Sequence, residues 1–235
     1  MRLPRAQRSV REDPRALTAR QYERLLREAK ARIPDNPLAG TRDLAIALVL
    51  GDAGLRCEEL AALDRFDFLP ARRGAKLRAL DVRHGKGDRQ RRVRLSQRTA
   101  DAIVRWDQRR AEELGPSADD APLFITLGRR RCDGSYTAVG RRCHQPVLAG
   151  VIARLGAAAE LPDELAHPHA LRHTCATELL RAGASVVDVR DFLGHASTKT
   201  TSIYLHSGSE RQEAAVLARE RGRLTLDEDR EPHAA

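Results

Sequence analysis

Apolar positions recur at helical spacing over most of the chain and alternate with polar ones only in a short middle stretch. Tyr22, Leu25, Leu26, Ala29 and Ile33 share one face behind Thr18 and Gln21. That pair reads as a capping box, so a helix opens there with Tyr22 in the core. After a turn at Pro34–Pro37 a second helix is expected from about Thr41 to Ala53. Its LAIALVL centre is apolar nearly all round, the pattern of a central, buried helix. Gly54 breaks it, and GLRCEEL (54–60) opens another, with Arg56 and Glu59 at i, i+3 and close enough to pair.

From Phe66 to Leu95 the period changes. FDFLP, KLRALDVR and RQRRVRL read as three strands, with HGKGD as a Gly-flanked hairpin turn between the last two. Ser96 then caps a helix running to about Leu114. APLFITL is either a short strand or a buried connector, residues 129–142 form a basic Gly/Ser loop, and a helix follows from about Pro146 to Ala158. The pattern predicts an α+β chain, mainly helical, with a small three-stranded antiparallel sheet.

The densest chemistry lies in HPHALRHTCATELLRAGASVVDVRDFLGHASTKTTSIY, residues 167–204. Pro168 suits a first helical turn, and His169, Arg172 and His173 then share one face near the helix start. Such a helix start, with a fixed cation and two imidazoles, suits a phosphate. The helix stops at Gly183. A second begins at Ser185, with Asp188 completing a capping box, and ends at Gly194, directly before His195. Tyr204 follows in a polar Thr/Ser surround.

Charge narrows the class of partner. Of 235 residues, 42 are Lys or Arg and 33 Asp or Glu, a formal excess of +9, which favours an anionic partner, nucleic acid first and an acidic membrane surface second. No run approaches the roughly 18 apolar residues of a membrane span, and the basic N-terminus has no apolar core that would make it a secretory signal. Cys57, Cys132, Cys143 and Cys175 are scattered without a C-x-x-C pair, which points to reduced thiols in the cytoplasm and to neither zinc nor disulfides. Ten basic and two acidic residues lie between Arg72 and Arg94, so the sheet reads as a ribbon tracking phosphates, with Arg83, Arg89, Arg91 and Arg92 as expected DNA contacts. Only four of the 42 basic residues are lysines, yet one, Lys86, stands between two glycines at the hairpin tip. A lysine can release a proton there and a guanidinium cannot.

H-x-L-R-H, then L-G-H, then a tyrosine at this spacing, preceded by G-L-R-x-x-E-L, resembles the signature of the tyrosine recombinases, the phage integrase family. The resemblance covers residues 17 to 208 and implies a DNA-cleaving and rejoining catalytic domain. It implies a catalytic set of Arg56, Lys86, His169, Arg172, His195 and the nucleophile Tyr204, supported by Glu59 and His173. It further implies double-stranded DNA as substrate, a 3′-phosphotyrosine intermediate without metal, ATP or other cofactor, and a homotetramer on DNA, in the cytoplasm on the nucleoid; the small apolar patch at Ala214–Ala218 points to a monomer when free. Tyr136, in the basic loop, is a weaker candidate nucleophile. Residues 1–16 are expected as a flexible basic lead-in, and 209–235 as a C-terminal helix with a disordered tail. The family's N-terminal clamp domain is not expected from so short a lead-in, which leaves a non-catalytic DNA-binding remnant as the alternative.

Overall fold

The computed structural model describes residues 15–69, 77–83, 90–128, 131–132, 139–194 and 216–220. At its centre stands α2 (Pro37–Asp52), buried at every position from Leu38 to Asp52, as its all-round apolar pattern requires. Around it pack α1 (Ala19–Ala31), α4 (Gln97–Leu114), α5 (Gln145–Ala158) and α6 (Pro168–Arg181). The short helices α3 (Cys57–Ala62) and α7 (Val186–Leu193) lie beside this body. The α1 capping box forms as read: the Thr18 side chain accepts from Gln21 N, and the Gln21 side chain from Thr18 N. Helix α2 begins earlier than expected. Asn36 caps it through a bond from Ala39 N, and Pro37 occupies the first turn, where it lacks nothing by lacking an N–H.

The strands β1 (Phe68–Leu69), β2 (Ala79–Val82) and β3 (Arg91–Arg94) form the expected three-stranded antiparallel sheet, with Asp81 opposite Arg92 and Val82 opposite Arg91. A second sheet departs from expectation. Part of the basic loop is a strand, β5 (Val139–Arg142), pairing antiparallel with β4 (Ile125–Leu127) across an irregular register. Its arginines conceal it from a hydrophobic-period reading, and its partner holds Ile125 in the core. There Trp106 donates to Leu123 O at 2.8 Å and stacks on Phe124.

One carboxylate fastens the centre. Asp52, at the end of α2, accepts from Tyr22 Oη (3.0 Å), Ser96 Oγ (3.0 Å), Thr99 Oγ1 (3.1 Å) and the Nε and Nη2 of Arg98 (2.7 and 2.9 Å). An ion this deep is tolerated because it is paired and hydrogen-bonded on several sides. Tyr22 is a core residue, as its spacing predicts. At the C-terminal end, residues 216–220 are helical; Val216 and Arg219 are buried, and the Glu220 carboxylate accepts from Gln97 N at the start of α4, where a negative charge complements the helix dipole. Among the described residues no helix is long and apolar enough to cross a membrane.

Candidate active site

The end of α2 delivers the first arginine. Gly54 turns the chain with φ of +63°, and a Cβ there would stand 2.6 Å from Leu193 Cδ2 and 3.0 Å from Cys175 Sγ, so both its backbone and its space demand glycine. Arg56 then occupies the N-cap position of α3. Its backbone N–H donates to Glu59 Oε2 (2.8 Å) and its Nη1 to Glu59 Oε1 (2.9 Å). The carboxylate thus satisfies an orphan N–H of the helix start and holds the guanidinium beside it.

The second arginine comes from α6. His167 caps this helix, its Nδ1 accepting from Ala170 N at 3.2 Å while its Nε2 lies 2.8 Å from Glu164 O. A ring that accepts at Nδ1 and donates at Nε2 is the neutral tautomer. Sequence reasoning passed over His167, although the residue before a first-turn proline is where an N-cap belongs. His169 is exposed, its ring edge-on to that of His167 with 6.4 Å between centroids, and His173 is half-buried. Arg172 points inward and is 7% exposed. Its Nη1 donates to Gly54 O (2.5 Å) and its Nη2 to Leu193 O (2.7 Å).

A third arginine completes the cluster from β3. Arg91 grips both oxygens of Glu59, at 2.7 Å each, and its Nε donates to Phe192 O at 3.2 Å. Arg56 Nη2 in turn donates to Gly194 O at 3.0 Å. Three consecutive carbonyls, those of Phe192, Leu193 and Gly194, therefore receive Arg91, Arg172 and Arg56. These are the carbonyls that a helix leaves unsatisfied at its C-terminus, where the macrodipole is negative. The capping box of Ser185 and Asp188 starts α7, and Gly194, left-handed at φ +68°, ends it.

Electrostatics follow from this crowding. Two guanidiniums, those of Arg56 and Arg91, pair with one buried carboxylate, and the third, Arg172, is held beside them by carbonyls alone, an arrangement with spare positive potential for an anion. Burial alone would raise the pKa of Glu59; the hydrogen bonds and charge of Arg91, then those of Arg56, overturn this and hold it below the ordinary glutamate value. Burial, and after it the neighbouring charge of Arg56, pushes Arg172 down to about 10, still well above neutrality, so it remains a cation.

The other predicted contacts divide. Arg83 pairs with Asp64 (2.7 Å) and Asp67 (2.9 Å) and lies 4.4 Å from the Phe66 ring centroid; Arg92 pairs with Asp81 at 3.1 Å. Their side chains stay 29% and 31% exposed, whereas that of Arg91 is 13% exposed and turned into the protein. Lys86, Arg89, His195, Tyr204 and Tyr136 lie outside the described residues.

A helical body with a small antiparallel sheet, bringing Arg56 and the H-x-L-R-H helix to one point, is the catalytic-domain architecture of tyrosine recombinases. The model of the phage integrase family matches residues 15–211, and the chain belongs to that family. A close relative is the tyrosine recombinase XerC of Rhodospirillum centenum, 36% identical over 234 residues, a match covering 95% of this chain and 60% of the relative. The chain thus spans about three fifths of that relative's length. The same fold is seen in the crystal structure of XerA recombinase (TM-score 0.60, 24% identity, 97% of this chain and 67% of that one). It is seen again in XerH bound to its palindromic difH substrate in a post-cleavage complex (TM-score 0.58, 21% identity, 92% and 53%).

Proposed function

We propose that residues 17–208 form the catalytic domain of a site-specific DNA recombinase that cleaves and rejoins strands through a covalent 3′-phosphotyrosine. The observation that supports this most is the meeting of Arg56 and Arg172 on adjacent carbonyls at the end of α7, although 116 positions separate them. Two fixed guanidiniums side by side suit the non-bridging oxygens of one phosphodiester, whose charge grows in the transition state. Tyr204 attacks phosphorus, the bond to the 5′ oxygen breaks, and Lys86 supplies the proton that makes this oxygen a hydroxyl. His169 and His195 bond the phosphoryl oxygens or accept the phenol proton. A 5′-hydroxyl from the partner strand then reverses the step and releases Tyr204. The phosphotyrosine conserves the bond energy, so no ATP is consumed, and the guanidiniums supply the positive charge. The partner is double-stranded DNA, on which four copies assemble; the free protein is a monomer, in the cytoplasm on the nucleoid. Arg83, Arg89 and Arg92 contact flanking phosphates, while Glu59 and His173 support the cluster.

The test is covalent capture. A library of nicked duplexes incubated with the protein yields a denaturation-resistant adduct that is lost in Tyr204→Phe and kept in Tyr136→Phe. Retention of duplex without any adduct would replace this reading with that of a non-catalytic DNA-binding module.

A further inference from the structure

The cluster contains an arginine that the proposed chemistry does not use as a phosphate ligand. Arg91 belongs by sequence to the most basic stretch of the chain, and its neighbour Arg92 turns outward to Asp81. Arg91 instead shares a strand face with Val93, which is fully buried, and spends its whole fork internally. Both terminal nitrogens go to Glu59, and Nε goes to Phe192 O. A bidentate pair of this kind fixes the plane of the carboxylate as well as its place. The same carboxylate takes the N–H and Nη1 of Arg56.

A second observation comes from the other side. A Cβ on Gly194 would stand 2.9 Å from Arg91 Nη1 and 3.0 Å from its Cδ and Cζ. The glycine of the L-G-H motif therefore answers two demands, a left-handed helix end and the close approach of Arg91.

We infer that Arg91 is a positioning residue of the phosphate clamp: it locks Glu59, and through Glu59 the guanidinium of Arg56, to the C-terminal turn of α7. The inference rests on the proposed recombinase reading. Arg91 makes no contact with the phosphate itself, so it acts on the rate of the bound complex and little on its formation.

The experiment uses the full chain and the nicked duplex best captured by the wild-type protein. Arg91→Met slows single-turnover cleavage at saturating duplex by about 100-fold, the scale of a small misplacement of reacting groups. Duplex affinity stays within about threefold and its salt slope is unchanged, since no phosphate contact is lost. Glu59→Gln combined with Arg91→Met is no slower than the worse single variant, because both break one link. Gly194→Asn, whose backbone tolerates the left-handed turn, displaces Arg91 without altering it and reproduces the rate loss, which keeps the question open to decision should Arg91→Met fail to fold. A fall in affinity and salt slope with an unchanged saturated rate would make Arg91 a phosphate contact and overturn the inference; so would no change in either. If the wild-type chain forms no adduct, the recombinase reading falls. Amide hydrogen exchange then still decides the locking: Arg91→Met raises exchange across residues 56–60 and 192–194 and Arg92→Met does not, and equal protection in both variants would refute it.

Discussion

Arg172 donates from Nη1 to the carbonyl of Gly54, 118 positions earlier in the chain, over 2.5 Å. Its other terminal nitrogen reaches Leu193 O, so a single guanidinium ties the break after α2 to the end of α7. An arginine held this way has its plane set before any anion arrives, which is the condition for preorganised charge stabilisation.

Replacing Arg172 should therefore act twice. Arg172→Met leaves two carbonyls without their donor, at about 1–3 kcal/mol for each buried group left unsatisfied, and urea unfolding measures that loss. Adduct formation falls by at least about 10²-fold, as for a lost oxyanion donor. Arg172→Lys keeps charge but cannot span both carbonyls, and it recovers stability more than activity.

The space at Gly54 can be weighed against a control. Gly54→Ala adds a left-handed residue, at about 1–2 kcal/mol, and also drives a methyl into Leu193 and Cys175. Gly183→Ala, at φ +91° in the left-handed turn that ends α6 and with nothing within 4 Å, carries only the conformational cost. Denaturant midpoints should fall further for Gly54→Ala, and the difference between the two variants reports the packing alone.

Much of this arrangement was legible beforehand. Capping boxes at Thr18 and Ser185, the glycine stops and the all-round apolar run of α2 are local rules, and the chain obeys them. Arg56 beside Glu59 followed from spacing, and the family signature named Arg172. What spacing could not reveal was the partner of Arg91: a basic residue in a basic stretch reads as exposed, and only the fold shows the buried carboxylate that draws it inward. The strand β5 was hidden for a related reason, since its arginines mask the period that its pairing with β4 imposes.

Acid stability should carry the mark of Glu59. Its folded-state pKa lies below its ordinary value, so the unfolded chain binds a proton there first as pH falls beneath the usual glutamate range of about 4.3. The stability that Glu59 contributes is therefore present above that range and lost as pH drops through its folded value. Urea midpoints between neutral pH and about pH 3 should fall less steeply in Glu59→Gln than in the wild type, from a lower starting value. Asp64, also held low against its burial by the hydrogen bonds of Arg142 and then Arg83, keeps its own share of the slope in both proteins.

The thiols give a quick check of burial. Cys57 is pushed up to about 11 by burial and by the charge of Glu58, and Cys143 to about 11 chiefly by burial; Cys175 is buried and Cys132 exposed. Maleimide at neutral pH should label Cys132 first, read by mass spectrometry of the intact chain and its peptides, and all four residues together only in denaturant. Early labelling of Cys143 or Cys175 would contradict the packing at the end of β5 and along α6.

Asp52 lies almost next to Gly54 in sequence, so hardly any chain separates the anchor shared by α1, α2 and α4 from the arginine that follows the turn. A cation at the tip of a long loop would surrender much orientational freedom each time it captured an anion. Here that freedom is already forfeited when the polypeptide folds, so the encounter itself demands little further ordering. A substitution at Arg98 or Tyr22, which hold Asp52 and make no bond to the clamp arginines, would return some of that freedom and so weaken the grip at Arg56.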